Sequence, residues 1–353
     1  FVSTIFDNLD AITAQHAKGA ELSIEAAASV KGVPYHPGAA KYFEEKGVKV
    51  DAVKEGAGNG TASALSFGTG GESGTYYAFG GVLASFVSGK SDCKVTALTS
   101  GGSQANVEDL TNGNVQLAFV QSDVMNYAYN GQRLFDSPVT GFSVVAQLYQ
   151  EQVQIVTTNP DIKTVADLAG KKVSIGAAGS GVYFNAIDVL NAYDLKESDI
   201  SAVYQSFGDS AESLKDGKID AAFIVAGAPT TAIVDLSTTK PVSLVSLDDE
   251  HIDALLKSSP YYSKCTIKAD VYGLDSDTTT VAVGAVILAR DDVSEDAIYA
   301  LTADIFDNAP DLISSHAKYG ELSTEFGASI TSVPYHPGAA KYFAEKGFDV
   351  ATK

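Results

Sequence analysis

The sequence predicts an α/β protein whose two lobes face each other across a cleft, with an additional helical segment at the N-terminus. Three observations predict it. From residue 64 onward, short apolar runs alternate with helical stretches, the pattern of mostly parallel sheets. The chain leaves a first lobe near residues 145–155 and returns to it near 270–285, so two crossings join the lobes. Residues 1–50 repeat residues 301–350 at a constant offset.

The repeat needs no gap, and 28 of its 50 positions are identical. Ile5-Phe6-Asp7-Asn8 recurs as Ile305-Phe306-Asp307-Asn308, and His16-Ala17-Lys18 as His316-Ala317-Lys318. Val33 to Tyr42 recurs as Val333 to Tyr342. Each copy reads as a helix near 3–17, a second helical stretch near 21–30, a proline-bracketed turn and a short helix over 38–46. Gly47 and Gly347 sit where a helix-terminating glycine belongs. Residues 51–64, rich in Gly, Ala and Ser, read as a flexible linker. A hairpin of ~50 residues buries little alone, so its apolar side needs a partner. The C-terminal copy is expected to pack on its own lobe. The N-terminal copy has three candidate homes: the tail of a preceding tandem unit, a neighbouring molecule in head-to-tail association, or no fixed place.

The elements of the body follow in order. Ala64–Phe67 is a strand and Gly74–Ser88 a helix. Val95–Leu98, Ser103–Asn112, Leu117–Val120 and Asp123–Asn130 continue the alternation. Phe142–Leu148 and Val153–Thr157 read as two strands. Thr164–Ala169 is a short helix, and the strand around Val173 leads to a helix over Gly181–Ala192. The strand Ala202–Tyr204, the helix Ser210–Asp216, the strand Ala221–Val225 and a helix from 229 come next. A strand near 242–246 and a helix near 250–257 precede Thr279–Leu288, a long buried strand. The last 60 residues read as helical. Residues 65–150 with 275–350 form lobe 1, and 151–274 form lobe 2.

Composition narrows the function. The 353 residues carry a net charge of −20, which argues against nucleic acid and against an anionic membrane surface as partner. With 45% apolar residues a large core can form, and no run of about 18 apolar residues suggests a membrane span. The chain starts at Phe1 with no signal-peptide pattern, so it reads as a mature or clipped form. Cys93 and Cys265 match no zinc spacing; one disulfide and two thiols are both open. Few cysteines and an acidic, Asn/Ser/Thr-rich surface suit an exported bacterial protein, periplasmic or extracellular.

Four strand-to-helix junctions are rich in small polar residues: residues 68–75 (GTGGESGT), 99–103 (TSGGS), 176–181 (GAAGSG) and 225–229 (VAGAP). Each would place backbone N–H groups and the positive end of a helix at the carboxyl edge of a sheet, where anions bind without an arginine. Tight strand–helix turns need glycine anyway, so one such loop says little and four say more. The nucleotide motifs fail: Ser73 stands where G-x-G-x-x-G needs glycine, and Val182 where a phosphate-loop lysine would be. No serine-hydrolase elbow, metal-spaced histidine pair or paired catalytic groups occur, so the sequence reads as no enzyme, with no cofactor or metal. Gln121-Ser122-Asp123 ends a buried strand, with Ser122 or Asp123 as a helix cap, with Gln121 pointing into the cleft, or both. Tyr76, Tyr77, Tyr183 and Phe184 follow the glycine-rich turns and either wall the cleft or pack helix on sheet.

At these residues the chain resembles the TAXI-type solute-binding proteins of tripartite ATP-independent periplasmic (TRAP) transporters. The matching pieces are residues 65–81, 99–124, 162–186, 214–233 and 333–347, in the right order across 65–350. The resemblance implies a two-lobe periplasmic-binding-protein (Venus flytrap) fold. It implies capture of a small carboxylate, such as a dicarboxylate or glutamate, for delivery to a membrane permease of a TRAP system. It places binding at Ser73, Gly74, Thr75 and Tyr76, then Gln121 and Asp123, then Ser180, Gly181 and Asn185, with Gly227 and Pro229 at the hinge side. Other TRAP binding proteins pair carboxylates with an arginine. Here only Arg133 and Arg290 occur, neither in a cleft loop, which favours the TAXI group. The copy at 1–50 departs from the family and raises an alternative role: the subunit of an extracellular filament or tandem array, self-associating through residues 1–50.

Overall fold

A computed structural model of the chain describes residues 2–15, 19–20, 22–29, 35, 37–50, 64–90 and 93–353. Residues 51–63 of the expected linker lie outside the described residues, as do His16-Ala17-Lys18 and, within the repeated VPYHPGAAKY, Val33, Pro34 and His36. Two units result, 1–61 and 62–353.

The larger unit holds ten strands: β1 (Ala64–Gly68), β2 (Lys94–Leu98), β3 (Leu117–Gln121), β4 (Phe142–Thr157), β5 (Lys172–Ser174), β6 (Ser201–Val203), β7 (Ala221–Ala226), β8 (Ser243–Leu244), β9 (Ser263–Ile267) and β10 (Thr278–Arg290). Their order is β2-β1-β3-β10-β4-β7-β5-β6, with β8 beside β4 and β9 beside β10. The flanks are parallel, β1 with β2 and β3, and β5 with β6 and β7. The centre is antiparallel, because β4 and β10 pair with each other in opposite directions. The expectation of mostly parallel sheets therefore holds only away from the two long strands.

One correction follows. Phe142–Leu148 and Val153–Thr157 are not two strands but one, the 16-residue β4. The polar tract does not interrupt pairing: Gln150 faces Gly284, Glu151 faces Val283 and Gln152 faces Ala282. Gln150 donates to the Ser263 hydroxyl at 3.1 Å and Gln152 accepts from the Ala228 N–H at 3.0 Å, which leaves Glu151 between them. Strand β9, between the helix Asp249–Ser258 and β10, has no counterpart in the sequence reading.

Burial divides the interior into three clusters. The largest joins residues from Leu65 to Tyr149 with those from Ala285 to Phe343, and includes Phe184. The other two draw on residues between Val153 and Val283. The first cluster draws mainly on the stretches expected for lobe 1 and the other two on those expected for lobe 2, and β4 and β10 contribute to both sets.

The tail seats on β4. Val144 N–H donates to Pro334 O at 2.9 Å, and His336 N–H donates to Val144 O at 2.8 Å. Tyr335 N–H donates to Ala351 O at 2.7 Å, so the tail end clasps its own turn. Tyr319 stacks on Phe79 with centroids 4.1 Å apart. Ser294 caps the helix Glu295–Asp307, and His336 with Pro337 opens the helix Pro337–Glu345.

Within unit 1–61 the helices are Val2–Phe6, Leu9–Gln15, Ile24–Ala27 and Pro37–Glu45. The single helix expected near 3–17 breaks after Phe6, and its counterpart in the tail breaks after Asp307. Each break frees an aspartate to bind the last helix of its hairpin. The Tyr42 hydroxyl donates to Asp7 at 2.9 Å and Lys46 bridges it at 2.8 Å. Tyr342 and Lys346 hold Asp307, both at 2.8 Å.

Candidate functional site

All four glycine-rich junctions reach one cavity, the fourth only through Val225 and Ala226 at the end of β7. The cavity is ≈ 80 Å³, against the ~10–15 Å³ that one water needs on this scale. The first junction supplies Gly70, Gly71, Gly74, Thr75 and Tyr76; the second, Ser100 to Ser103; the third, Ala177, Ser180, Gly181 and Val182. Gln121, Glu151, Ser206 and Phe207 complete the lining.

The arrangement follows from helix geometry. Helices Thr75–Lys90, Ser103–Asn112 and Val182–Ala192 begin at this cavity. The first N–H groups of a helix have no acceptor of their own, so three helix N-termini bring unspent donors and positive dipole ends to one place. Ser180 is 8% exposed, and its buried Oγ has no hydrogen-bond partner.

Residues of the two expected lobes are in direct contact. Ala105 N–H donates to Gly179 O at 2.9 Å, and Thr75 Oγ1 donates to Gly227 O at 2.9 Å. Gly102, at φ +111°, lies so close to Ser180 that a Cβ there would stand 3.1 Å from its Cα. Behind the cavity Gln121 Nε2 donates to Asn185 Oδ1 at 2.6 Å, and Asn185 Nδ2 donates to Asp123 Oδ2 at 2.8 Å and to the Tyr262 hydroxyl at 2.9 Å.

The sequence-derived residues thus fall into three groups. Gly74, Thr75, Tyr76, Gln121, Ser180 and Gly181 line the cavity. Asp123 and Asn185 lie behind it, bonded across the lobes. Ser73 and the 227–229 turn sit at the rim: Ser73 O accepts from Ala232 N–H at 3.3 Å, Gly227 O accepts from Thr75, and Pro229 follows a cis bond. For the helix-cap alternative at Gln121-Ser122-Asp123, the helix opens with Gln121 as its cap residue, yet without a side-chain capping bond. Tyr76 walls the cavity, while Phe184 packs in the lobe 1 cluster.

Glu151 was missed by the sequence reading. Its one signal was a charge inside an otherwise apolar and amide-rich strand. It is 2% exposed and accepts a hydrogen bond from the Tyr76 hydroxyl. Burial pushes its pKa up to about 8, and burial raises Asp123 to about 7. Phe207 was missed as well; it follows the cap Ser206 of the helix Phe207–Lys215 and lies against Gly74.

Cys265 is a free thiol, so the disulfide left open by the sequence is not formed. Among the described residues, no group of three His, Cys, Asp or Glu side chains could hold a metal ion, and no helix is long and apolar enough to cross a membrane.

One solved structure shares this fold, and others are more distantly similar. One described as a periplasmic transporter has a TM-score of 0.50 at 14% identity, covering 73% of this chain and 88% of that chain. A putative L-cystine ABC transporter from Listeria monocytogenes gives 0.47 at 16% identity, over 74% of this chain and 98% of that one. The alkanesulfonate-binding protein SsuA from Xanthomonas axonopodis pv. citri, bound to MOPS, gives 0.45 at 15%, over 80% and 83%. At these identities the likeness is one of fold. The sequence pattern of the NMT1-like family matches residues 1–47 and 67–347, most of the length, and the chain belongs to that family.

Proposed function

We propose that this protein is an extracytoplasmic solute-binding protein that captures a small organic anion between its lobes and hands it to a membrane permease. The observation that carries this is the meeting of three helix N-termini at one cavity, with the unpartnered hydroxyl of the nearly buried Ser180. Such a site holds a carboxylate by main-chain amides and hydroxyls, with no guanidinium. The resemblance to TAXI proteins points to a dicarboxylate or an acidic amino acid such as glutamate, and to a TRAP system as the permease. Closure over the guest would explain why Gly102, Gly179 and Gly181 are glycines: each lies against the other lobe. Calorimetric titration with dicarboxylates, keto acids and amino acids tests the proposal. Heat is expected from at least one carboxylate and none from Ser180→Tyr; a silent panel with the parent protein sinks the reading.

A second reading, self-association through residues 1–50, is favoured by one observation. Unit 1–61 keeps the tail's internal contacts: the Tyr35 ring meets Phe43 edge-on at 5.6 Å as Tyr335 meets Phe343 at 5.6 Å, and each hydroxyl donates to a carbonyl eight residues back at 2.8 Å. A hairpin of the same form could take the tail's seat on a second copy of the chain. Light scattering on the parent and on a chain lacking 1–57 checks it; equal monomer masses at all concentrations refute it.

A further inference from the structure

Among the described residues, Glu151 is the one charged side chain lining the cavity. It projects from the middle of β4, and its carboxylate is held by Tyr76 from the helix Thr75–Lys90. The other charged or titratable groups coupled to it come from three elements: Asp123 and Lys318, and Tyr149 on β4 itself, whose hydroxyl Glu151 makes harder to ionise. Asp123, on the helix Ser122–Asn130, repels it, and Lys318, in the turn Ala317–Glu321, attracts it. Lys318 is committed elsewhere: it bridges Glu321 at 2.6 Å and stands 5.9 Å over the ring of Tyr149, the residue two before Glu151 on β4. Glu151 therefore has an acceptor's hydrogen bond and no cation of its own.

The cavity makes two opposed demands on a guest. Helix N-termini and the free Ser180 hydroxyl attract negative charge. An ionised Glu151 would repel it, in a closed site with little solvent to screen the pair. A single proton reconciles them, because a neutral carboxylic acid is a hydrogen-bond donor.

We propose that capture of an anion in this cavity takes one proton from solvent onto Glu151, which then donates a hydrogen bond to the guest's carboxylate. The inference rests on the anion-capture reading above and deepens it. No covalent bond to carbon changes; the proton is drawn from the buffer. Burial already holds the Glu151 proton to about pH 8 in the empty site, so capture near neutrality needs little uptake and capture above pH 8 needs nearly a whole proton. Affinity should then fall by about tenfold per pH unit above that point. The lobes' other buried acid, Asp123, faces Asn185, Tyr262, Asp188 and the Val124 N–H rather than the cavity.

The experiment titrates the full chain with succinate, 2-oxoglutarate and L-glutamate from pH 6 to 9.5, in buffers of different ionisation enthalpy. The expected result is a fall in affinity above about pH 8 and uptake of close to one proton per site at pH 9. In Glu151→Gln the uptake disappears and affinity at pH 9.5 exceeds the parent's; Asp123→Asn keeps the alkaline fall. Thermal melts establish that both variants are folded. An affinity flat with pH, or an uptake that survives Glu151→Gln, overturns the proposal. So does an affinity that rises with pH and collapses in Glu151→Gln for L-glutamate alone, which would mean an ionised Glu151 receiving an ammonium group. Absence of heat from all three probes at every pH removes the anion-capture reading itself, a result distinct from binding without proton uptake.

Discussion

Asn185 reaches across from lobe 2 and donates to the buried carboxylate of Asp123 in lobe 1 at 2.8 Å. The same amide also donates to Tyr262, while its oxygen accepts from Gln121. One asparagine thus ties three groups together where the lobes meet. Asp123 Oδ1 is buried without a hydrogen bond of good geometry, and burial outweighs the backbone N–H groups of Asp123 and Val124 that favour the ionised form.

That imbalance predicts a pH dependence of stability. Burial raises Asp123 from 3.8 to about 7. The folded state therefore keeps a proton that the unfolded chain sheds, and the stabilisation is full below the unfolded pKa and lost as pH rises through about 7. Three units would correspond to ~4 kcal/mol as an upper bound, less after relaxation. Asp123→Asn should flatten the decline between pH 4 and 7 and melt higher than the parent at pH 8. Thermal melts across that range check it; parallel curves for the two proteins would refute the assignment.

Thr75→Val is expected to loosen closure without harming either lobe. Thr75 Oγ1 donates to Gly227 O across the cleft, while that carbonyl keeps a second donor in Thr230 Oγ1 at 3.1 Å. The loss is one hydrogen bond without a stranded acceptor, ~1 kcal/mol, or about fivefold in ligand affinity. Calorimetry measures it, and small-angle scattering should show a larger mean radius for the empty variant.

Gly102→Ala should hinder closure and strain its own turn. The added methyl would meet Ser180 Cα at 3.1 Å and Cβ at 3.2 Å, at a φ that side chains rarely adopt. Binding should fall by more than about tenfold, with the scattering profile unchanged by ligand. Gly81→Ala, where a Cβ meets nothing within 4 Å, serves as the control and should melt at or slightly above the parent temperature.

The sequence made the cleft's donors legible and hid its acid. Glycine-rich turns before helices declare themselves because only small residues permit them, and six of the eleven site residues that the TAXI resemblance implied line the cavity. Ser73, Gly227 and Pro229 fell at the rim because local turn chemistry does not say how far a loop tip stands from the guest. Glu151 could not be singled out because its neighbours Gln150 and Gln152 made the tract look like a loop. The pairing of β4 with β10, which buries it, joins residues more than a hundred positions apart. Strand β4 was split in the sequence reading for the same reason.

The matched hairpins allow a test of whether equal contacts carry equal weight. Tyr335 is fully buried; its hydroxyl donates to Gly327 O at 2.8 Å and accepts from Ile330 N–H at 3.0 Å. Tyr335→Phe leaves that buried carbonyl and N–H short of a partner, which costs ~1–3 kcal/mol. The corresponding hydroxyl of Tyr35 donates to Ala27 O at 2.8 Å, but the residue is only half-buried. Water can replace the bond there, so Tyr35→Phe should cost less than ~1 kcal/mol. Denaturant unfolding of the two single variants measures both. If Tyr35→Phe proves as damaging as Tyr335→Phe, the first hairpin must be covered in solution by a partner surface as close-fitting as β4 is for the tail, and the self-association reading gains accordingly.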